Sequence, residues 1–229
     1  MVRAIEDRFV IIPAGWFLMG STDGQADEQP VHRVWIDTFE MAAYPVTCER
    51  YREFIEATGH TPPLNWPTLA GEHLPVVGVS WHDAQAYCEW LGREGRPPRL
   101  PTEAEWERAA RSGVDGTRYP LGDVIPAWIP HDGRGPLPGP WPVTLGEPNA
   151  YGLFGIGANV HEWCADWYDG NYYARAPERN PTGPASGTRR ASRGGSWRHA
   201  ITISRCATRS RIDPSFRYTD YGFRLARDL

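Results

Sequence analysis

Glycine and proline interrupt this chain so often that long helices are excluded from its fold. The 229 residues include 24 Gly and 22 Pro, and each proline removes a backbone donor and restricts the residue before it. The chain also carries 11 Trp, 10 Tyr and 7 Phe, which supply the large apolar bodies that a loop-rich core needs. The sequence therefore predicts short elements, many turns and an aromatic, irregular core.

Capping signals and helical spacing predict three short helices. Thr47 is a candidate N-cap before an apolar stripe that ends at Gly59. Ser80 and Thr102 are each followed three positions later by an acidic residue, which makes a capping box and begins the second and third helices.

Extended segments are predicted at the beginning of the chain. Apolar stretches at 10–20 and 31–39 flank a polar turn, which indicates a hairpin. Its tip carries Asp23, Asp27 and Glu28. We interpret this acidic tip as a solvated turn, with cation binding as the alternative.

Residues 119–149 contain eight prolines and form a segment of different composition. Trp128 and Trp141 lie within it, and both side chains favour burial. The segment is therefore predicted to be an ordered surface loop or a lid rather than a linker.

Length and charge fit a single domain over residues 1–229. The net charge of −4, with both signs interspersed, gives no electrostatic footprint for nucleic acid or an anionic membrane. The N-terminus lacks a secretion-signal pattern and no apolar run of about 18 residues occurs, so a cytoplasmic location is expected. Four cysteines without a metal-site or framework spacing are expected to be reduced.

Many short motifs in a fixed order resemble one known family, and they cover nearly the whole chain. They include Phe-Leu-Met-Gly at 17–20, Pro-Val-Thr at 45–47, Arg-Leu-Pro-Thr-Glu-Ala-Glu-Trp-Glu at 99–107, Asn159-Val160, Glu162-Trp163, Arg-Gly-Gly-Ser-Trp at 193–197, Arg-Cys-Ala at 205–207 and Tyr-Gly-Phe-Arg at 221–224. The chain resembles the formylglycine-generating enzymes, or sulfatase-modifying factors. The resemblance implies an α+β, loop-rich variant of the C-type lectin fold with a shallow cleft.

The family's chemistry depends on a pair of cysteines, and this chain departs from that pattern. By the resemblance, the paired thiolates bind copper(I) between Gly-Gly-Ser and Arg-Cys-Ala. Here His199 occupies the position of the first cysteine, and residues 197–205 contain none. Because copper(I) selects soft sulfur ligands, copper is not expected. Cys88 and Cys206 match structural cysteines of the family and are read as small buried residues.

Calcium is the other ion that the resemblance implies. One family site uses a run that corresponds here to residues 155–162, in which the first ligand is replaced by Gly155. The remaining candidates are Glu162 together with Asn159, Val160 and Ala158, whose oxygens suit a hard cation. The sequence thus predicts a degraded calcium site, or a Glu162 that anchors backbone groups of a turn.

Two histidines replace family residues at one site. His161 stands where relatives usually have a cleft-lining Trp, so His161 and His199 are expected to point into one cleft. The pair suits a metal site with a carboxylate as third ligand or general acid–base work. A structural role, with hydrogen bonds to a backbone carbonyl or to Ser196, is the third alternative.

Arginines recur through the terminal segment beside two acidic residues: Arg193, Arg205, Arg209, Arg224, Asp213 and Asp220. Buried or half-buried ion pairs are predicted, since an arginine fork satisfies several acceptors at once. In the alternative, an arginine recognises a ligand carboxylate, and Arg205 and Arg209 with Trp197 are then the ligand-binding candidates.

The sequence leaves two main functional hypotheses. In the first, the protein binds a peptide or small molecule in the cleft without oxidising it. In the second, it is an oxygen-dependent oxidoreductase that uses another metal with His161 and His199. Sulfatase maturation, which the missing cysteines disfavour, and diversified ligand display are further possibilities.

Overall fold

The three predicted helices are present where the capping signals placed them. The computed structural model describes residues 8–64, 66, 73–92, 96–129 and 139–229. Helices α1 (Cys48–Thr58), α2 (Trp81–Leu91) and α3 (Glu103–Arg111) are each about three turns long. Three short 3₁₀ turns cover Ala26–Glu28, Tyr172–Arg175 and Ile201–Ile203. None of the helices within the described ranges has the length and apolarity needed to cross a membrane.

Local side-chain hydrogen bonds fix where these helices begin. The Thr47 hydroxyl accepts from the Arg50 N–H at 3.3 Å, and α1 ends on Gly59 in the left-handed region. In the α3 capping box the Thr102 hydroxyl accepts from the Glu105 N–H at 3.1 Å, and the Glu105 carboxylate accepts from the Thr102 N–H at 2.7 Å. Two of the N–H groups that a helix start leaves unpaired are thereby satisfied.

Replacing Thr102 by alanine is expected to lower the free energy of unfolding by about 1 kcal/mol, because the Glu105 N–H loses its acceptor. Urea unfolding measures the change. Thr58→Ala at the end of α1 is the matched control, since the exposed Thr58 hydroxyl bonds the Phe54 carbonyl and accepts from the His60 N–H at 3.2 Å, where water can replace it. Equal losses in both variants would argue against the cap.

The strands form three small sheets within the described residues. They are β1 (Phe9–Ile12), β2 (Gly15–Met19), β3 (His32–Ile36), β4 (Phe39–Ala42), β5 (His161–Trp167), β6 (Arg190–Arg193), β7 (Arg209–Ile212), β8 (Tyr221–Gly222) and β9 (Ala226–Asp228). The sheet orders are β1-β4-β9, β2-β3 and β7-β6-β5-β8. The predicted hairpin is the antiparallel pair β2-β3, and only β5 and β8 pair in parallel among these strands. Helices and small sheets together confirm the α+β class.

The acidic tip of the hairpin is not the solvated turn that the sequence predicted. Glu28 is fully buried, and both of its carboxylate oxygens accept from Arg205 at 2.6 and 2.7 Å. Asp27 accepts from the Tyr168 hydroxyl, while Asp23 remains exposed. The interpretation was wrong for Glu28 because its cationic partner comes from the opposite end of the chain.

Buried ion pairs join α3 to the C-terminal segment, as predicted from the arginine pattern. Arg209 bonds both oxygens of Glu103 at 2.7 and 2.9 Å. Arg193 pairs with Glu107, which Arg111 also contacts at 2.7 Å. All five side chains are buried. These arginine forks join α3 to the terminal strands through side-chain hydrogen bonds and so hold irregular backbone together.

The core consists of two large apolar clusters and a smaller third one. The third contains Trp141 and Ile129, with Trp128 packed against it, so the described parts of the proline-rich segment are ordered by their tryptophans. The predicted role of 119–149 as a lid depends in part on residues 130–138, which lie outside the described residues. All four cysteines are buried and none forms a disulfide with another, in agreement with the expectation that they are reduced.

Candidate functional site

The parallel pairing of β5 with β8 brings His161 and Asp220 together. His161 is the first residue of β5 and lies opposite Tyr221, and its N–H donates to the Asp220 carbonyl at 2.9 Å. Gly222 also lies close to a third segment, where a Cβ would meet the Val76 carbonyl oxygen at 2.4 Å. Asp220 therefore lies beside His161 because of how two distant strands pair.

A glycine turn after β6 delivers Ser196 and His199 to the same place. Gly194 has φ of +80° and lies where a Cβ would be 3.0 Å from the Gly157 Cα, so glycine is required for both reasons. The turn continues until the His199 N–H donates to the Ser196 carbonyl at 3.0 Å. The Ser196 hydroxyl then donates to Asp220 Oδ2 at 2.8 Å.

His161, His199 and Asp220 form a compact cluster, which we call the His–His–Asp site. One potential ligand atom from each residue lies within 4.8 Å of the others. The two imidazole centroids are 5.0 Å apart, and His199 Nε2 is 3.2 Å from Asp220 Oδ2. His161 is 3% exposed, whereas the His199 side chain is 38% exposed. The site is therefore buried at His161 and accessible at His199, which forms its rim.

Burial and neighbouring charges set the protonation of this site. Burial lowers the pKa of His161 to about 4, with the nearby His199 also lowering it, and outweighs the opposite effect of Asp220. Burial raises the pKa of Asp220, but hydrogen bonds from His199 and Ser196 and the proximity of His161 bring it below its usual value. At neutral pH the site therefore combines a neutral buried imidazole with a carboxylate.

The sequence missed Asp220 as a member of this site. It was singled out only as an ion-pair partner for arginine, because it lies 59 residues from His161 and 21 from His199 along the chain. Its place directly before the Tyr-Gly-Phe-Arg motif was the available signal. The structure also brings the predicted Ser196 into contact with Asp220 rather than with a histidine ring.

The candidate calcium ligands already have partners inside the protein. Both carboxylate oxygens of Glu162 accept from the Arg224 guanidinium, at 2.9 to 3.3 Å, and one also accepts from the Trp106 indole N–H. The Asn159 amide bonds the backbone of Trp141 at 2.9 and 3.1 Å. Val160 is fully buried and Ala158 packs in the third cluster. Calcium stays a prediction, and the Arg224 charge disfavours a cation at Glu162.

The other ligand-binding candidates, Arg205, Arg209 and Trp197, differ in their contacts. Arg205 is held by Glu28, and Arg209 by Glu103, so both guanidiniums stabilise the fold. Arg205 also lines a separate cleft of about 540 Å³, together with Asp23 and Arg118. Trp197 lies closer to the His–His–Asp site: it precedes His199 by two residues and packs against the third cluster. Its indole N–H has no hydrogen-bond partner among the described residues.

A copper(I) centre of paired thiolates does not fit this donor set. The His–His–Asp site offers nitrogen and oxygen atoms, whereas copper(I) selects thiolate sulfur. Cys88 and Cys206 are buried elsewhere, and burial raises the pKa of both thiols to about 12. Protonated, inaccessible thiols are poor metal ligands.

Comparison with known proteins gives the family of this chain. Residues 2–229 match the family described as the sulfatase-modifying factor enzyme 1-like domain. The chain belongs to the sulfatase-modifying factor family. Its relatives include the formylglycine-generating enzyme of Streptomyces coelicolor, which is 34% identical in an alignment that covers 96% of this chain and 88% of that protein.

Two further relatives show how widely this family domain is used. The serine/threonine-protein kinase pkn1 of Chlamydia pneumoniae is 37% identical in an alignment that covers 99% of this chain and 39% of that protein. The chain thus spans well under half of that relative's length. The structure of PvdO from Pseudomonas aeruginosa has a TM-score of 0.83 at 29% identity and covers 96% of this chain and 94% of PvdO. This match confirms the predicted variant of the C-type lectin fold.

Proposed function

We propose that this member of the sulfatase-modifying factor family binds a peptide or small molecule at the His–His–Asp site. The observation that carries the proposal is the convergence of His199, Asp220 and Ser196, which belong to two distant loops and meet within hydrogen-bond distance. Convergent polar groups beside an accessible rim are typical of ligand sites. The site offers both hydrogen-bond donors and hydrogen-bond acceptors to a ligand at neutral pH.

The surroundings of the site favour a ligand with an apolar or aromatic part. Phe216 and Tyr218 are 51% and 45% exposed, and their rings are 5.9 Å apart. The ring centroids of Tyr218 and Tyr221 are 5.8 Å apart. The Tyr221 ring in turn stacks on the His161 ring, with centroids 4.7 Å apart. Exposed aromatic side chains next to polar groups suit an amino-acid side chain of a peptide.

Ligand binding is expected to raise the melting temperature of the metal-free protein. At a free ligand concentration of about 100 times Kd, the native state gains about 2.7 kcal/mol. Thermal unfolding in chelator, scanned across amino acids and short peptides, measures this gain. His199→Ala should weaken the response, while His82→Ala, at an exposed histidine of α2, should leave it intact. A flat response of the native protein to the whole library contradicts the proposal.

An oxygen-dependent oxidoreductase that uses a metal other than copper is the second candidate. The meeting of His161 and His199 with a carboxylate favours it, since two histidines and one carboxylate with open positions suit non-haem iron. Oxygen uptake by iron(II)-loaded protein, in the presence of a ligand found by thermal unfolding, tests it. Uptake no faster than that of His199→Ala would remove this candidate.

Sulfatase maturation is tested directly, because the relative from Streptomyces coelicolor is named a formylglycine-generating enzyme. A Cys-x-Pro-x-Arg peptide is incubated with the protein, copper and oxygen, and mass spectrometry reports the thiol. We expect the cysteine to remain unchanged. Stoichiometric conversion to formylglycine would overturn the proposed non-oxidising function.

A further inference from the structure

The first residue of β5 and two later loops supply donor atoms for one metal ion. Zinc-bound nitrogen and oxygen lie about 2.0–2.2 Å from the ion, so two donors on one ion are separated by at most about 4 Å. The donors of the His–His–Asp site are within 4.8 Å of one another. A contraction of about 1 Å completes the site, and His199, whose side chain is 38% exposed, is the less enclosed of the two histidines. We propose that His161, His199 and Asp220 bind a divalent transition-metal ion of the zinc and iron(II) class.

A second observation, independent of the cluster geometry, is the state of the buried imidazole. His161 is 3% exposed, and its Nδ1 has no hydrogen-bond partner in the part of the chain that the structure describes. Buried polar atoms are nearly always satisfied, and an exception calls for an explanation such as an ion. A metal ion would satisfy the unpartnered nitrogen and explain why a polar ring is buried there.

Neighbouring groups already hold the ligand side chains in place. The Ser196 hydroxyl donates to Asp220 Oδ2 at 2.8 Å and orients the carboxylate. Tyr221 stacks on His161 with an interplanar angle of 27°, which restricts rotation of the imidazole. Supporting contacts of this kind are a regular part of metal sites, where they orient the ligands and tune their basicity.

The donor set selects the class of metal. Two imidazole nitrogens and one carboxylate oxygen suit zinc, iron(II) and cobalt(II), whereas calcium takes 6–8 oxygen ligands and copper(I) prefers sulfur. Three protein ligands leave coordination positions open on the side of the exposed His199 rim. These positions face the site at which a peptide or small molecule is proposed to bind, so a bound ligand can reach the ion directly.

The inference rests on the proposed function only for the location of the site, and metal binding is measured without any organic ligand. The chain is stripped with chelator and titrated with cobalt(II), whose visible absorption reports coordination, and zinc is then added in competition. We expect one cobalt per chain, displaced by zinc. His199→Ala and Asp220→Asn should each weaken binding by about 100-fold or more, and Ser196→Ala by about 10–100-fold.

A second histidine–carboxylate pair provides the matched control. His60 Nε2 lies 2.8 Å from Asp83 Oδ1 with similar exposure, but no second imidazole belongs to that pair among the described residues. His60→Ala should therefore leave cobalt affinity unchanged. Circular dichroism and urea unfolding verify that each variant folds, and Asp220→Asn keeps the shape of the carboxylate.

Each outcome decides the inference. Absence of cobalt and zinc binding, or equal affinity in wild type, His199→Ala and Asp220→Asn, overturns the metal site. If ligands still raise the melting temperature in chelator, the proposed binding function stands without the metal. If cobalt binds as expected and no ligand stabilises the protein, the metal site stands and the binding function fails.

Discussion

Replacing Arg224 by methionine is expected to lower the free energy of unfolding by about 3–5 kcal/mol. Arg224 is fully buried; its guanidinium pairs with Glu162 and donates to the carbonyls of Ala42, Ala43 and Phe154 at 2.7 to 2.9 Å. The variant leaves the Glu162 carboxylate buried without its cation, and three carbonyls lose donors. Few single substitutions in this chain remove as many buried contacts.

Urea unfolding measures the loss, with Arg96→Met as the matched control. Arg96 is a largely exposed arginine whose ion pair with Glu40 is 3.4 Å long, so its replacement should change stability by less than about 0.5 kcal/mol. Glu162→Gln added to Arg224→Met should cost less than the sum of the two single losses, because the unpaired charge is gone. A loss below about 1 kcal/mol for Arg224→Met would show that the pair is not needed for stability.

The second large effect is a loss of stability of the metal-free protein as pH falls from about 6.5 towards 4. His161 has a reference pKa of 6.5, and burial lowers it to about 4 in the folded protein. Between these values the unfolded chain binds a proton that the folded chain does not, so acidification favours unfolding. The full difference corresponds to about 3 kcal/mol, which is present above pH 6.5 and lost as pH falls through the folded pKa.

Other groups titrate in the same range, so the test is a difference between two proteins. Burial, with the nearby Glu103, raises the pKa of Asp166 well above its usual value, and this group stabilises the fold at low pH and loses that effect as pH rises. His161→Phe keeps an aromatic ring against Tyr221 but cannot titrate. Unfolding free energies of both proteins in chelator, from pH 4 to pH 8, isolate His161. Parallel profiles would contradict a buried neutral histidine.

His199 and Asp220 both affect the pKa of His161, and both belong to the proposed metal site. Asp220 raises the pKa of His161 and His199 lowers it. A cation held at the proposed metal site would further oppose protonation of the His161 imidazole. The proposed metal site and the pH response therefore involve the same side chains, and chelator is essential when the pH profile is measured.

The helices could be predicted because their signals are local. Thr47, Ser80 and Thr102 cap N–H groups within three residues, and Gly59 ends α1 through its own backbone conformation. The same holds for the β2-β3 hairpin, in which two apolar segments adjacent in sequence pair. Contacts between neighbours in the chain leave a pattern in the sequence because the partners must keep a fixed spacing.

The site could be predicted only in part. His161 and His199 were recognised from their positions in the family motifs, and the structure brings their rings 5.0 Å apart. Asp220 was missed as their partner, and the arginine pattern predicted buried ion pairs without identifying the partners, which are Glu28 for Arg205 and Glu103 for Arg209. Glu28 was expected in solvent for the same reason: a charged residue shows no partner in sequence when that partner lies 177 residues away.

By itself, the sequence determined the family, the α+β class, the three helix starts and the loss of cysteine between residues 197 and 205. Only the tertiary structure decided which charges are paired in the core and which side chains remain for a ligand. The physical reason is that burial and pairing depend on distances between remote segments. The parallel contact of β5 with β8 and the turn at Gly194 set those distances, and neither leaves a periodic pattern in the chain.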